Sequence, residues 1–168
     1  MNIERMQLRR LEAIDLALRV EWLNHPLVSP YLNTGEYFSI ENTMCWYERI
    51  REDNTRFDVV FCVDNVVVGM GGLTHISSVN RNAEVYIYLN PSVHGHGLGR
   101  MAMHLLCQEG FLRLDLVKIY AYTFKSNERA NQMFSKVGFV REGVLRQHSL
   151  KDGMLKDRCF WGLLKDEF

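Results

Sequence analysis

Between Ala83 and Leu112 the chain passes from a strand-like run, through alternating glycines, into a helix-like run, and few folds admit that order. The linking stretch is Leu89-Asn90-Pro91-Ser92-Val93-His94-Gly95-His96-Gly97-Leu98-Gly99-Arg100. Glycine permits positive φ and lets a ligand come close to the backbone. A glycine turn that opens a helix also presents unpaired N–H groups and the positive end of the helix dipole. The stretch is thus a candidate cradle for a phosphate, a pyrophosphate above all. The plainer alternative is a strand-to-helix turn that is merely rich in glycine. Two other phosphate loops are excluded by residue identity. A Walker A loop ends in Gly-Lys-Ser/Thr, whereas Gly99 is followed by Arg100 and Met101. A dinucleotide fingerprint needs Gly-x-Gly-x-x-Gly and an acidic residue closing the next strand. Here the next strand, Val117 to Phe124, runs into Lys125-Ser126-Asn127.

Around this stretch the chain reads as one domain spanning residues 1–168, long enough to bury a core. A formal net charge of zero offers neither a basic surface for nucleic acid nor an acidic run that would hint at a polyamine site. The opening Met1-Asn2-Ile3-Glu4-Arg5 lacks the apolar segment of a signal peptide, and no apolar run is long enough to span a bilayer. Cys45, Cys62, Cys107 and Cys159 are scattered, without a Cys-x-x-Cys pair, so they read as small core residues. A cytoplasmic protein with reduced thiols, no membrane contact and no metal is expected.

Periodicity gives the order of elements. Ile3 to Leu8 alternates as a first strand. Leu11, Ile14, Leu18 and Trp22 are spaced for one face of a helix over Glu12 to Leu23, stopped at Asn24-His25-Pro26 because the residue before proline avoids helical angles. Ser39 is placed to cap a second helix, Ile40 to Arg51. Phe57 to Val63 and Val66 to Leu73 form a hairpin about Asp64-Asn65. Met70-Gly71-Gly72 marks a bulge or a close backbone approach. His75 to Arg81 reads as a polar loop, and Asn82 to Leu89 as a central strand with Glu84, Tyr86 and Tyr88 on one face. After the glycine helix come a strand to Phe124, a helix Glu128 to Lys136 stopped by Gly138, and two strands, Phe139 to Leu145 and Lys156 to Leu164, about the turn Lys151-Asp152-Gly153. The fold class is α/β: one mixed, mostly antiparallel central sheet flanked by helices, with a β-α phosphate-binding loop.

Several motifs now stand in a fixed order. They are His94-Gly95-His96-Gly97-Leu98-Gly99, then Asn127-Glu128-Arg129-Ala130, then Lys136-Val137-Gly138-Phe139 and Glu142-Gly143. Together they resemble the loop Gln/Arg-x-x-Gly-x-Gly/Ala and the signature Asn-x-x-Ala…Lys-x-Gly-Phe…Glu-Gly of the GNAT superfamily of acyl-CoA-dependent N-acetyltransferases. The ending Lys151-Asp152-Gly153…Asp157…Gly162-Leu163-Leu164 and the early Trp22-Leu23-Asn24-His25-Pro26 are similar to the branch of ribosomal-protein N-terminal acetyltransferases. The Asn-His-Pro tripeptide also resembles transferases acting on nucleotide-linked amino sugars. Two departures stand out: His94 replaces the usual Gln or Arg, and Phe134 replaces a Tyr thought to protonate the departing thiolate.

The resemblance implies direct attack of an acceptor amine on the thioester of acetyl-CoA, with acetyl-CoA as co-substrate. Backbone amides from His94 through Gly95, His96, Gly97, Leu98 and Gly99 to Arg100 would bind the pyrophosphate. Leu89 would pair with the pantetheine through its backbone. Asn127, which is equally a helix cap, and Asn131 would hold the pantetheine arm. An alkylammonium with a pKa of about 10 must lose a proton before it can attack. Glu84 is the candidate base, against the alternative of a salt-bridged surface carboxylate. The thiolate's proton would come from Tyr122, Tyr88 or water. His25 either faces an acceptor pocket or interacts with the helix dipole. Tyr31, Tyr86 and Tyr88 either line the acceptor cleft or belong to the core.

The expected activity is N-acetylation of a primary amine, with a small amine or nucleotide-linked amino sugar ranked above a protein N-terminus. A CoA-binding module without turnover is the alternative that Phe134 keeps open. The oligomeric state is left open, a homodimer included.

Overall fold

The computed structural model describes residues 5–93 and 97–168. Its strands are β1 (Gln7–Arg10), β2 (Phe57–Val63), β3 (Val66–Ser77), β4 (Asn82–Leu89), β5 (Lys118–Phe124), β6 (Val140–Lys151) and β7 (Met154–Leu164). They form one seven-stranded sheet in the order β1-β2-β3-β4-β5-β7-β6. Every neighbouring pair is antiparallel except β4 and β5. Four helices pack on it: α1 (Leu16–Asn24), α2 (Ile40–Ile50), α3 (Leu98–Gln108) and α4 (Glu128–Val137). The expected mixed α/β sheet is the one observed.

Strand alternation divides the core in two. Ala83, Val85, Ile119 and Ala121 face α3 and α4, with Leu98, Met103 and Leu106 packed onto them. Tyr86, Tyr88, Val60 and Met70 face α1 and α2, under Trp22 and Trp46. Glycines in β3 let these layers close. A Cβ on Gly72 would stand 3.0 Å from Cε1 of Tyr86, and one on Gly71 only 2.6 Å from the Tyr86 carbonyl. Gly71-Gly72 is therefore a close approach. The irregularity in the β2–β3 pairing lies elsewhere, opposite the Phe61–Cys62 step, where β3 spends the extra residue Val68 between Gly69 and Val67. Asp64 and Asn65 take φ of 48° and 65°, the left-handed pair a two-residue hairpin turn requires.

Some boundaries differ from the sequence reading. The first strand is Gln7–Arg10, because Gln7 to Arg10 pair with Val59 to Cys62. Residues 1–4 lie outside the described part. The first helix opens as a short 3-10 turn, Ala13–Asp15, and Ile14 on the expected apolar face is 80% exposed. Buried Asp15 explains this, since it accepts two hydrogen bonds from Arg9 and one from the Glu12 N–H and so fixes the turn. α2 begins as expected, with Ser39 accepting from the Asn42 N–H. β3 runs on to Ser77, so His75 lies within a strand and not in a loop.

Candidate active site

β4 and β5 separate. Pairing holds at Asn82, Ala83 and Glu84 against Lys118, Ile119 and Tyr120, and then stops, although β4 continues to Leu89 and β5 to Phe124. On its other edge β4 stays paired with β3 as far as Leu89. The Tyr86 and Tyr88 carbonyls lie against Gly71 and Gly69 of β3, and the Asn90 N–H donates to the Val68 carbonyl. Backbone groups alternate sides along a strand, so those of Val85, Ile87 and Leu89 point into the gap. An open edge in mid-sheet is a site for an extended ligand to add as a strand. Leu89, the residue expected to pair with such a ligand, is one of the three.

The glycine stretch delivers α3 at the open end of this gap. Gly97 adopts φ 76°, ψ 0° and caps the helix. Its carbonyl accepts from the N–H groups of Arg100 and Met101, so the helix itself supplies no partner for those of Leu98 and Gly99. Leu98 is buried and anchors the turn, while Arg100 is exposed. A Cβ on Gly99 would meet Leu89 at 3.6 Å, which places the helix start beside the end of β4. His94, Gly95 and His96 lie outside the described residues. The αL glycine, the first-turn amides that have no partner among the described residues and the adjoining open strand edge fit a pyrophosphate followed by an extended pantetheine arm.

The two asparagines of the second signature have different surroundings. The Asn127 carboxamide oxygen caps α4 by accepting from the Ala130 N–H at 3.1 Å. Asn131 accepts from the Thr123 hydroxyl and donates to the Lys125 carbonyl, and Thr123 in turn accepts from the Trp161 indole. This chain ties α4 to the end of β5 and to β7. Asn131→Ala should therefore lower stability by about 1–3 kcal/mol in a urea titration. An unchanged transition midpoint would show that the asparagine carries no structural load.

Glu84 sits where the two strands part, with its side chain 26% exposed. Beside it is His75, whose Nδ1 lies 3.4 Å from a Glu84 carboxylate oxygen and 3.3 Å from the Thr74 hydroxyl. Thr74 pairs with Glu84 and Ser77 with Asn82, so β3 spends one extra residue there. At that bulge His75 takes φ 53°, uncommon for a residue with a side chain. Bulges beside sites re-aim side chains in this way. Without it, alternation would turn His75 towards α3.

Across the gap stands an aromatic wall built from β5, β6 and β7. The Tyr122 ring packs 5.0 Å from Phe160 and 6.0 Å from His148, with Tyr120 edge-on. Burial pushes the Tyr120 hydroxyl above its usual pKa, and the nearby charge of Glu84 adds to the effect. The Arg158 guanidinium lies 4.8 Å over the Tyr122 ring. Tyr88 is elsewhere. Its hydroxyl accepts from Arg19 and donates to Met70 sulfur, and burial pushes it up to about 12.

The expected acceptor-side residues are not gathered at one point. The Tyr86 hydroxyl donates to Asp58, which Arg56 also holds, and burial raises its pKa well above the usual value. His25 ends α1, and its Nδ1 accepts from the Leu27 N–H. Tyr31, 49% exposed, follows in the same loop. Two clamps hold that loop. Asn24 exchanges two hydrogen bonds with the Phe38 backbone. Buried Lys151, at the β6–β7 turn, donates to the carbonyls of Ser29 and Thr34. Phe134 is 5% exposed, its ring between Phe139 and Trp161. Sequence reasoning missed His75, Tyr120, Arg158 and Lys151. Alternation along β5 carried a signal for Tyr120, which shares a face with Tyr122. Among the described residues no group of three His, Cys, Asp or Glu side chains is placed to hold a metal, and no helix is long and apolar enough to cross a membrane.

Comparison with known proteins points the same way as the geometry. The model of the family described as acetyltransferase (GNAT) domain matches residues 5–140. The spermidine N(1)-acetyltransferase of Escherichia coli K12 is 31% identical over 153 residues, covering 90% of this chain and 82% of that protein. A Bacillus licheniformis protein named as uncharacterized N-acetyltransferase p20 is 26% identical over 170 residues, covering 98% and 96%. The crystal structure of spermidine N-acetyltransferase from Vibrio cholerae, in complex with CoA and spermine, superposes with a TM-score of 0.93 at 25% identity over 98% of each chain.

Proposed function

Because the chain belongs to the acetyltransferase (GNAT) family and is an acetyl-CoA-dependent N-acetyltransferase, we propose that its acceptor is the primary amine of a small molecule, with Glu84 as the base. The carrying observation is the position of Glu84 at the point where β4 and β5 part. Acetyl-CoA supplies the acetyl group as a thioester: the amine nitrogen bonds to the carbonyl carbon, the carbon–sulfur bond breaks, and the sulfur leaves with a proton as free thiol. The amides of Leu98 and Gly99 and the dipole of α3 hold the pyrophosphate. The inward-facing backbone of Ile87 and Leu89 aligns the arm, and a β4 N–H stabilises the carbonyl oxygen as charge develops. Asn127 caps α4 with its oxygen and keeps its amide hydrogens for the arm. Glu84 removes the ammonium proton, and exposed His75 passes it to solvent. Tyr122 is the nearby hydroxyl for the departing sulfur.

A small acceptor is supported by the relatives named spermidine acetyltransferases. It is also supported by the clamped loop from His25 to Phe38, which Asn24 and Lys151 hold in place. The test is free-thiol release from acetyl-CoA with separate pools of polyamines, other small amines, nucleotide-linked amino sugars and N-terminal peptides. Turnover is expected with a small-molecule pool. Turnover with the peptide pool alone would reject the reading.

A further inference from the structure

The cleft wall carries a cation that acetyl transfer does not use. Arg158 lies on β7 opposite Phe124, with its guanidinium over the Tyr122 ring and 6.0 Å from Phe124. Its Nε is buried and has no hydrogen-bond partner among the described residues. Three other arginines with acidic or hydroxyl groups beside them behave otherwise. Arg9 donates to Asp15, Arg19 to Tyr88 and Arg56 to Asp58. A buried donor left unmade carries a desolvation cost and calls for a reason. A planar guanidinium fork matches the paired oxygens of a carboxylate or phosphate. Stacking on Tyr122 fixes the plane of that fork at the cleft wall.

The charges of the cleft are therefore split. Glu84 stands on the β4 side and Arg158 on the β7 side; burial lowers the Arg158 pKa, and the charge of Glu84 offsets part of that. An acceptor with an ammonium at one end and an anion at the other satisfies both sides. A polyamine satisfies Glu84 and sets a like charge against Arg158.

We propose that Arg158 is a specificity residue that binds an anionic group, carboxylate or phosphate, on the acceptor, so that the substrate class is a small amine that also carries an anion. This rests on the small-amine reading of the same site.

The experiment compares kcat/KM within matched pairs: β-alanine against its amide, phosphoethanolamine against ethanolamine, and a nucleotide-linked amino sugar against the free amino sugar, with spermidine as a cationic control. The wild-type protein should favour the anionic member of at least one pair by about tenfold or more, the scale of a charge-assisted hydrogen bond. The pair that shows it separates carboxylate from phosphate. Arg158→Gln should collapse that ratio to within about twofold, mostly through KM, and Arg158→Lys should restore part of it. Thermal melting checks that both variants are folded. Equal use of both members of every pair would overturn the assignment, as would a ratio that Arg158→Gln preserves or turnover confined to spermidine, while leaving the small-amine reading intact. Turnover of peptides alone would remove both.

Discussion

Glu84→Gln is expected to lower kcat at neutral pH by about 100-fold, the scale of losing one general base, and the deficit should shrink as pH rises towards 10. The sign follows from the acceptor. An alkylammonium with a pKa of about 10 is roughly one part in a thousand free amine at pH 7, so the enzyme must remove a proton there. As pH approaches that value the amine arrives deprotonated and the base becomes redundant. Gln keeps the size and hydrogen bonding of Glu but cannot take up a proton. Acetyl-CoA KM should stay within about twofold, because the Glu84 side chain is none of the groups assigned to the pyrophosphate or the arm, which are backbone amides and Asn127. A deficit that stays constant with pH would remove Glu84 from the base role and leave it as a partner of His75. No deficit at all would assign deprotonation to water.

Much of this site could be read from the sequence because its parts are local. The strand before the glycines, the helix after them and the cap at Asn127 each depend on a few neighbouring residues. The alternation of Glu84, Tyr86 and Tyr88 correctly gave their common face. What alternation could not supply is where β4 and β5 part, since that depends on a pairing across more than thirty positions of chain. Tyr86 shows the cost. Its face was legible, but its hydroxyl belongs to Asp58 on β2, a residue with no motif to announce it. His75 was hidden for another reason. A one-residue bulge reverses which side of the sheet a residue meets, and periodicity of two carries no trace of it. Lys151 is similar: it reads as a turn lysine, and only the fold brings the Ser29 and Thr34 carbonyls to it.

Gly97→Val should leave a folded protein whose CoA dissociation constant is raised by about 100-fold or more. Two effects combine at this position. With φ of 76°, Gly97 occupies the left-handed region, which costs a residue with a Cβ about 1–2 kcal/mol and a β-branched one at least that. The chain can relieve this only by turning the peptide groups that aim the Leu98 and Gly99 amides outward. The valine branches would also stand where phosphate oxygens must come within hydrogen-bonding distance of those amides. Gly97→Asn separates the two effects, because asparagine tolerates left-handed angles but still adds a side chain. If backbone angle dominates, the Asn variant should bind CoA within a few-fold of wild type. If close approach dominates, it should lose most of what Val loses. Titration of CoA by calorimetry reads both variants, and ATP titrated alongside shows whether the turn grips a pyrophosphate regardless of the pantetheine arm. Undiminished CoA affinity in a folded Gly97→Val protein would place the pyrophosphate away from the start of α3.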